Sequence, residues 1–333
     1  MSKGINVLSL FDGMSCGRIA LEKANINVNN YFSSEIKPHA ISVANINYPE
    51  DKTNRLGDIT EIEGWMLPKI DLLIGGSPCQ DFSQANKERL GDKGVKSGLF
   101  YEYVRLLKEC KPKYFLLENV RMKKEHQDLV SSIIGCEPIV INSERFVPQL
   151  RHRLYWTNIP YLDLPEDKYT MLNEILEDGF SDRDKARTLL ESDSRPLSTP
   201  IKMAHRYFNI GFTTLIFKSV EHYVAVKEHF NINFKGKSAK EIDYLAQSMD
   251  LSLYDGLRYM NNREREACQS IPAGYTDSLS QKDSACLLGD GWTVDVIAHL
   301  FKGLDDVNKK NQLHKYQDRT GIKYGFHENH GGK

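Results

Sequence analysis

Residues 71–83 read DLLIGGSPCQDFS, and this stretch decides the fold. Its apolar run, residues 71–76, is typical of a strand that is buried on both faces of a parallel sheet. A turn that contains Pro78 and Cys79 follows this strand directly. Because open α/β sheets bind ligands at the carboxyl ends of their strands, the turn predicts a functional site with Cys79 at its edge.

Apolar and amphipathic segments alternate through the first half of the chain. The strand-like runs are NVLSL, NYFSSEI, DLLIGG and KYFLLENV, and the helix-like stretches between them are GRIALEKANI, PHAISVANINY and GLFYEYVRLLKEC. This alternation predicts a doubly wound α/β domain with a parallel sheet. Helical patterning returns in NNREREACQSI and TVDVIAHLFKGL near the end of the chain.

The segment between these two regions is irregular, which predicts a second, smaller domain. We expect domain boundaries that give 1–157 and 258–304 to the α/β domain, 158–257 to the smaller domain and 305–333 to a polar tail. Within the smaller domain the run FTTLIFKSVEHYVAV has the β-branched composition of a strand.

Composition narrows the class of protein. The 333 residues are 40% apolar and 27% charged, without an apolar run of membrane-spanning length, and Asp12 comes too early for a secretory signal. We therefore expect a soluble cytoplasmic protein with no membrane partner. The six cysteines form no C-x-x-C pair, which argues against a disulfide framework or a structural metal.

The segment VLSLFDGMSCG has the order of a strand, a glycine turn and a helix start, which brings a ligand close to backbone amides. Glu35 ends the next strand, where a carboxylate can accept both hydroxyls of a ribose, and Asp58 can accept from an adenine amine. Gly13 and Gly17 could instead serve only the turn, and the carboxylates could be solvated. Taken together, the features indicate an adenosine-containing cofactor, either a nicotinamide dinucleotide or S-adenosylmethionine.

Three further features lie at the same predicted sheet edge. Cys79 is either a buried small hydrophobe or a nucleophile activated by nearby positive charge, for which the Lys- and Arg-bearing loop 84–98 is a source. Glu118 ends the run KYFLLENV and is either a catalytic carboxyl or part of a helix cap. Arg151 and Arg153 share one face of an extended strand, as they also would in a salt-bridged surface pair.

In chain order, FDGMSCG, SEI, GDI, GGSPCQDFS, LLENV, QLRHR, REREACQSIPAGY and LLGDGWTVDVIAHL resemble the motifs of the DNA cytosine-5 methyltransferases of bacterial or phage type. The resemblance covers most of residues 1–157 and 258–304. It implies a Rossmann-like domain that uses S-adenosylmethionine, with residues 158–257 in the position of the target-recognition domain.

The resemblance implies a mechanism as well. Cys79 would add to carbon 6 of a cytosine that is flipped out of the duplex, forming a covalent adduct. Glu118 would hydrogen-bond the ring nitrogen and the exocyclic amine. Arg153 would hold the carbonyl oxygen of the base and orient Glu118, with Arg151 close to the cysteine.

The cofactor site implied by the resemblance draws on both ends of the chain. It comprises Phe11, Gly13, Met14, Glu35, Ile36, Asp58, Ile59, Pro78, Asp290, Trp292 and Thr293. Many family members have Asn in place of Asp290, close to the methionine end of the cofactor. A carboxylate at this position either repels the carboxylate of the cofactor or favours its cationic groups.

Double-stranded DNA is the implied partner, with a cognate restriction endonuclease as a further one, and a monomer is expected. Residues 181–240 carry 11 Lys and Arg against 6 Asp and Glu, a surplus of 11 − 6 = 5 positive charges that suits phosphate contacts. The expected DNA-contacting residues are Gln80, Ser83, Lys87, Arg89, Arg183, Arg187, Arg195, Lys202 and Arg206.

Two rival functions share this fold. One branch of the family methylates transfer RNA, but its Cys-Phe-Thr element is absent from residues 158–257. The other rival is a catalytically inactive DNA-binding regulator, which the presence of the cysteine, the glutamate and both arginines disfavours. A dehydrogenase, compatible with the first loop alone, explains neither the Pro-Cys pair nor the Glu-Asn-Val segment.

Overall fold

The computed structural model describes residues 4–78, 97–160, 163–166, 169–190, 199–211 and 213–304. Within these ranges seven strands form one sheet in the order β3-β2-β1-β4-β5-β7-β6. The strands are β1 Ile5–Leu10, β2 Val28–Ser34, β3 Arg55–Gly57, β4 Leu72–Gly75, β5 Tyr114–Val120, β6 Ile139–Asn142 and β7 His152–Thr157. The predicted doubly wound α/β architecture is present.

Helices cover the sheet and build the region that follows it. They are α1 Cys16–Lys23, α2 Pro38–Asn47, α3 Ser97–Cys110, α4 Lys124–Ile134, α5 Pro200–His205, α6 Val220–Asn233, α7 Ala239–Ala246, α8 Asn262–Cys268, α9 Gln281–Asp290 and α10 Val294–Phe301. Within the described residues no helix has the length and apolarity that crossing a bilayer requires.

The strand pairings depart from the all-parallel expectation at one place. Strands β1 to β5 pair in parallel, whereas β7 runs antiparallel to both β5 and β6. Only residues 143–151 connect β6 to β7, and this length is too short for the crossover that parallel pairing needs. The start of β7 therefore meets the carboxyl ends of the parallel strands.

Two apolar clusters pack on opposite faces of the sheet. Alternate side chains of β4 pack on opposite faces of the sheet. Leu72 and Ile74 belong to the cluster that contains residues of α1 and α10, whereas Leu73 belongs to the cluster that contains residues of α3. This period of two is what a strand covered by helices on both faces requires. Helix α10 packs directly against α1, so the two ends of the described chain lie side by side.

A third apolar cluster lies within residues 201–257, built around Phe217, Phe230, Phe234 and Tyr254. The strand predicted for residues 212–226 is wrong over most of its length, because α6 begins at Val220. The Ser219 hydroxyl accepts from the backbone amide of His222 and caps that helix, a local signal that outweighs the β-branched composition. The predicted domain boundaries stay predictions, and the tail 305–333 lies outside the described residues.

Candidate active site

A cavity of about 770 Å³ opens at the carboxyl ends of the parallel strands. Its volume lies within the range of about 300–1,000 Å³ that is typical of small-molecule sites. Ten of the eleven residues expected to contact the cofactor line this cavity: Phe11, Gly13, Met14, Glu35, Ile36, Asp58, Ile59, Pro78, Asp290 and Trp292. The described residues of the expected catalytic set line it too, namely Glu118, Arg151 and Arg153.

The loop after β1 has an unusual backbone. Phe11, Gly13 and Ser15 all have positive φ, at 56°, 59° and 64°, a region that non-glycine residues seldom adopt. Asp12 holds this loop from within, because its carboxylate accepts hydrogen bonds of 2.6 Å from the hydroxyls of Ser15 and Tyr31. The result is a tight turn whose backbone faces the cavity at the start of α1.

Asp12 is a site residue that sequence reasoning did not single out. Besides these bonds it accepts one of 2.6 Å from the Ser9 hydroxyl, and an Arg55 nitrogen lies 3.7 Å from it. Burial raises the pKa of Asp12, and the hydroxyl donors and Arg55 offset part of that rise. An Asp in a glycine turn gives no sequence signal of most of these partners, since Ser9, Tyr31 and Arg55 come from three different strands.

Glu35 connects the ends of β1 and β2. One carboxylate oxygen accepts from the backbone amide of Gly13 at 2.8 Å, and the other accepts from the amides of Ile36 at 2.8 Å and Lys37 at 2.9 Å. The carboxylate is thus fixed in the cavity wall. Each oxygen of a carboxylate has two lone pairs, so this placement leaves acceptor capacity for a ligand hydroxyl.

Asp58 occupies the corresponding position after β3. One of its oxygens accepts from both the backbone amide and the hydroxyl of Thr60 at 2.9 Å, so the residue caps a short 3₁₀ turn. Ile59 is buried beside it and contributes an apolar wall. The arrangement presents a carboxylate next to an apolar surface, and the expected contact of Asp58 with an adenine amine stays a prediction.

Glu118 lies near the end of β5 and is held from two sides. The Arg153 Nε lies 3.0 Å from one carboxylate oxygen, and the indole Nε1 of Trp292 donates to the other at 3.0 Å. The antiparallel direction of β7 brings Arg153 opposite Val120, two residues beyond Glu118 on the neighbouring strand. The carboxylate is 9% exposed and directed into the cavity.

Arg151 is a buried cation beside this group. Its Nη2 donates to the backbone carbonyls of Gly289 at 3.1 Å and Gly291 at 2.8 Å, while its Nη1 is buried with no protein partner among the described residues. Burial lowers the pKa of Arg151 to about 9, and the nearby charge of Arg153 acts in the same direction. The guanidinium therefore holds the loop before α10 in place. Its Nη1, which has no partner within the described residues, is available to a ligand.

An ion pair that the sequence did not reveal crosses the cavity mouth. The Lys37 Nζ lies 2.8 Å from a carboxylate oxygen of Asp290, and both side chains are about half exposed. The two residues are 253 positions apart, so no local pattern could have indicated their contact.

Thr293 lies outside the cavity wall. Its hydroxyl is buried and donates to the Gln269 side chain at 2.7 Å. The amide nitrogen of Gln269 in turn donates to the carbonyls of Leu288 at 2.7 Å and Gly291 at 3.3 Å. Thr293 thus takes part in fixing the loop that carries Asp290 and Trp292, rather than facing a ligand.

With this geometry in place, comparison with known proteins identifies the family. A family model described as C-5 cytosine-specific DNA methylase matches residues 5–305. The chain belongs to this family. It is the assignment that the motifs of the sequence predicted.

Bacterial and phage relatives are identical to this chain at about a third of the aligned residues. Identity is 36% over 202 residues with the type II methyltransferase M.NgoBV of Neisseria gonorrhoeae, covering 53% of the chain and 47% of the relative. It is 33% over 193 residues with the orphan methyltransferase M.Rho11sI of Bacillus phage rho11s, covering 54% and 38%. The chain therefore spans less than half the length of these relatives.

Solved structures support the fold of the methylase chain. The methyltransferase EhMeth of Entamoeba histolytica superimposes with a TM-score of 0.67 at 17% identity, over 92% of this chain and 100% of that one. A DNMT2 mutant of Spodoptera frugiperda gives a TM-score of 0.63 at 20% identity, over 90% and 99%.

The remaining predicted residues of the methylase chain fall into two groups. Cys79, Gln80, Ser83, Lys87, Arg89 and Arg195 lie outside the described residues. Among the others, Arg183 stacks over the Tyr207 ring at 4.8 Å and Lys202 lies 3.4 Å from Asp243, so both have partners within the chain. Arg187 is exposed, and Arg206 is partly buried.

Proposed function

We propose that this protein transfers the methyl group of S-adenosylmethionine to carbon 5 of cytosine in double-stranded DNA. One observation carries the proposal. A buried carboxylate with two fixed donors, Glu118, shares one cavity with a glycine turn and the two strand-end carboxylates Glu35 and Asp58. Family membership supplies the reaction class.

The cavity residues fit the proposed cofactor. Glu35 and Asp58 offer acceptors for ribose hydroxyls and an adenine amine, and Phe11, Ile36 and Ile59 offer apolar surface to the base. Arg151 lines the same cavity, and its buried Nη1, which has no partner within the described residues, can donate to a ligand oxygen. When bound, the sulfonium supplies an electrophilic methyl group.

The chain's own groups then activate the base. Cys79 follows Pro78, which lines the cavity, and its thiolate adds to carbon 6 of the cytosine. The electron pair of the ring moves to carbon 5, which accepts the methyl group. The methyl–sulfur bond breaks as the new bond forms, and S-adenosylhomocysteine is released. A base then removes the carbon 5 proton through water, and the electrons of that bond re-form the ring double bond as the thiolate leaves carbon 6. Glu118 hydrogen-bonds the ring nitrogen and exocyclic amine, and Arg153 orients Glu118 at the 3.0 Å distance observed.

The substrate base must leave the duplex to reach this cavity, at a cost of a few kcal/mol. We assign DNA contact to residues 158–257 and to the loop 84–98. Among the described residues that are expected to contact DNA, Arg187 is the one whose side chain is exposed and suits a phosphate. The type II name of the Neisseria relative favours a cognate restriction endonuclease as a further partner, whereas the orphan name of the phage relative does not.

The test is transfer of labelled methyl groups from S-adenosylmethionine to unmethylated plasmid DNA and, separately, to transfer RNA. Label recovered from DNA as 5-methylcytosine, lost in Cys79→Ser and kept in the matched control Cys110→Ser, supports the proposal. Label in RNA alone replaces it with the transfer RNA function. DNA binding without label in either substrate replaces it with an inactive regulator.

A further inference from the structure

The catalytic carboxylate proposed above depends on a donor from the other end of the fold. Trp292 lies 174 residues beyond Glu118, in the short connection between α9 and α10, and its indole N–H donates to the carboxylate at 3.0 Å. Arg153 occupies the other oxygen. An indole N–H can only donate, so it requires that oxygen of Glu118 to accept.

The indole ring has a fixed place because one glycine makes room for it and a second lies within ordinary van der Waals reach of its far edge. A Cβ atom added to Gly76, just after β4, would lie 3.0 Å from the indole nitrogen and 3.0 Å from the Glu118 carboxylate. One added to Gly17 in α1 would lie 3.6 Å from the far edge of the ring. The ring thus fills the seam between the cofactor loop and the turn that leads to Pro78.

The backbone that carries the ring is fixed as well. The carbonyl of Gly291, the residue before Trp292, accepts from both the Arg151 guanidinium and the Gln269 side chain. Both donors are buried, at 4% and 0% exposure. A side chain on such a support holds its orientation without losing further conformational entropy when a substrate arrives.

We propose that Trp292 is a positioning residue that fixes the Glu118 carboxylate and links its orientation to occupancy of the cofactor cavity, whose wall the same indole forms. This inference rests on the proposed methyl transfer to cytosine. Without the indole N–H, Arg153 is the one polar partner of the carboxylate within the described residues, and the carboxylate can then rotate away from the base.

The chain offers a matched pair of variants. Trp292→Phe removes the N–H and keeps an aromatic wall. Trp156→Phe is the control, because Trp156 is also buried and its N–H donates to Ser131 at 3.0 Å on another part of the sheet. We expect Trp292→Phe to slow single-turnover transfer by about 10- to 100-fold, the range of one hydrogen bond to a charged group. The dissociation constant for S-adenosylmethionine should change by less than about threefold, because phenylalanine keeps the aromatic wall of the cavity.

Two further measurements test whether Trp292 acts through Glu118 and whether the indole responds to a ligand in the cofactor cavity. In a Glu118→Gln background, Trp292→Phe should lower the residual rate by less than about threefold, since effects on one shared contact are not additive. In Trp65→Phe/Trp156→Phe, Trp292 is the one tryptophan left of the three in the sequence, and S-adenosylhomocysteine should shift its fluorescence.

The outcomes separate the inference from the function it rests on. If the unaltered protein transfers methyl groups but Trp292→Phe keeps its rate, the function stands and the inference is overturned. The inference is also overturned if Trp156→Phe slows methyl transfer as much as Trp292→Phe does. It is overturned as well if Trp292→Phe still slows transfer by its full factor in the Glu118→Gln background, or if S-adenosylhomocysteine leaves the fluorescence of Trp292 unchanged. If the unaltered protein transfers no methyl group, the proposed function fails and the inference falls with it.

Discussion

Lys37 and Asp290 form an ion pair of 2.8 Å across the mouth of the cavity at the carboxyl ends of the parallel strands. Partial burial alone would lower the pKa of Lys37, but the hydrogen bond to Asp290 and its charge raise it above the ordinary value. The sequence left open whether a carboxylate at position 290 repels a cofactor. The structure shows that this carboxylate already has a counter-charge at the cavity mouth.

The first prediction concerns the discrimination between methyl donor and product. S-adenosylmethionine is a sulfonium cation, whereas S-adenosylhomocysteine is a neutral thioether at the same sulfur. Lys37→Gln leaves the carboxylate of Asp290 without its partner, so the affinity ratio should shift by about two- to fivefold toward the cation. Asp290→Asn should shift it in the opposite direction, as measured by isothermal titration calorimetry.

Salt and a distant ion pair provide the controls for this prediction. Both shifts should shrink at 0.5 M NaCl, where the Debye length is below about 5 Å. Lys124→Gln disrupts a similarly exposed pair with Asp128 on α4 and should leave the ratio unchanged. Equal ratios in all variants at low salt would contradict an electrostatic role for the pair.

The second prediction concerns Gly76. Its replacement by Ala brings a methyl group to 3.0 Å from both Glu118 and Trp292, which must each move by a few tenths of an ångström. The Glu118 oxygen is the end of a side chain and can shift by this amount, so the melting temperature should fall only slightly. Methyl transfer should slow by about tenfold, because misplaced catalytic groups lose rate steeply. A large loss of melting temperature with an unchanged rate would show that the contact serves stability.

The third prediction is a pH dependence of stability that comes from Asp12. Burial raises its pKa in the folded state, so ionisation costs the folded protein free energy that the unfolded chain does not lose, about 1.4 kcal/mol per pKa unit. As pH rises from about 4 through the folded pKa, the unaltered protein should lose melting temperature relative to Asp12→Asn. If the melting temperature of the unaltered protein instead rises relative to that of Asp12→Asn as the pH increases, the prediction is wrong.

The fourth prediction concerns the thiol of Cys16 in the cavity wall. Burial raises its pKa to about 12, so the reactive thiolate is about a 10⁻⁴ fraction at pH 8. Iodoacetamide should modify Cys16 at least about 100-fold more slowly in the folded protein than in the same chain in denaturant, by peptide mass spectrometry. Rapid alkylation of the folded protein would show that the cavity wall opens.

The sequence predicted what depends on local pattern. The apolar runs located β1, β2, β4 and β5, and their carboxyl ends located the cavity, because strand direction follows from the crossover helices. The direction of β7 was missed, since it depends on the length of a connection rather than on the composition of the strand. The run at 212–226 misled because the Ser219 cap starts a helix at Val220, although the run has the β-branched composition of a strand.

Pairings between distant residues account for most of what the sequence could not predict at the site. The residue types at 37, 118, 290 and 292 are visible in the sequence, and three of the four were expected to act there. Their partners are chosen by how α9 and α10 pack against the sheet, and this packing joins positions up to 253 residues apart. The places of Cys79 and its loop stay predictions.

The packing of α10 against α1 has a consequence for biosynthesis. Ribosomes release the sheet strands and Glu118 long before the segment with Asp290 and Trp292. A nascent chain halted near residue 260 has the framework but neither the indole donor nor the closing ion pair. Catalytic competence should therefore appear only as translation approaches residue 304. Supplying residues 258–304 as a separate peptide to such a truncated chain should restore it by fragment complementation.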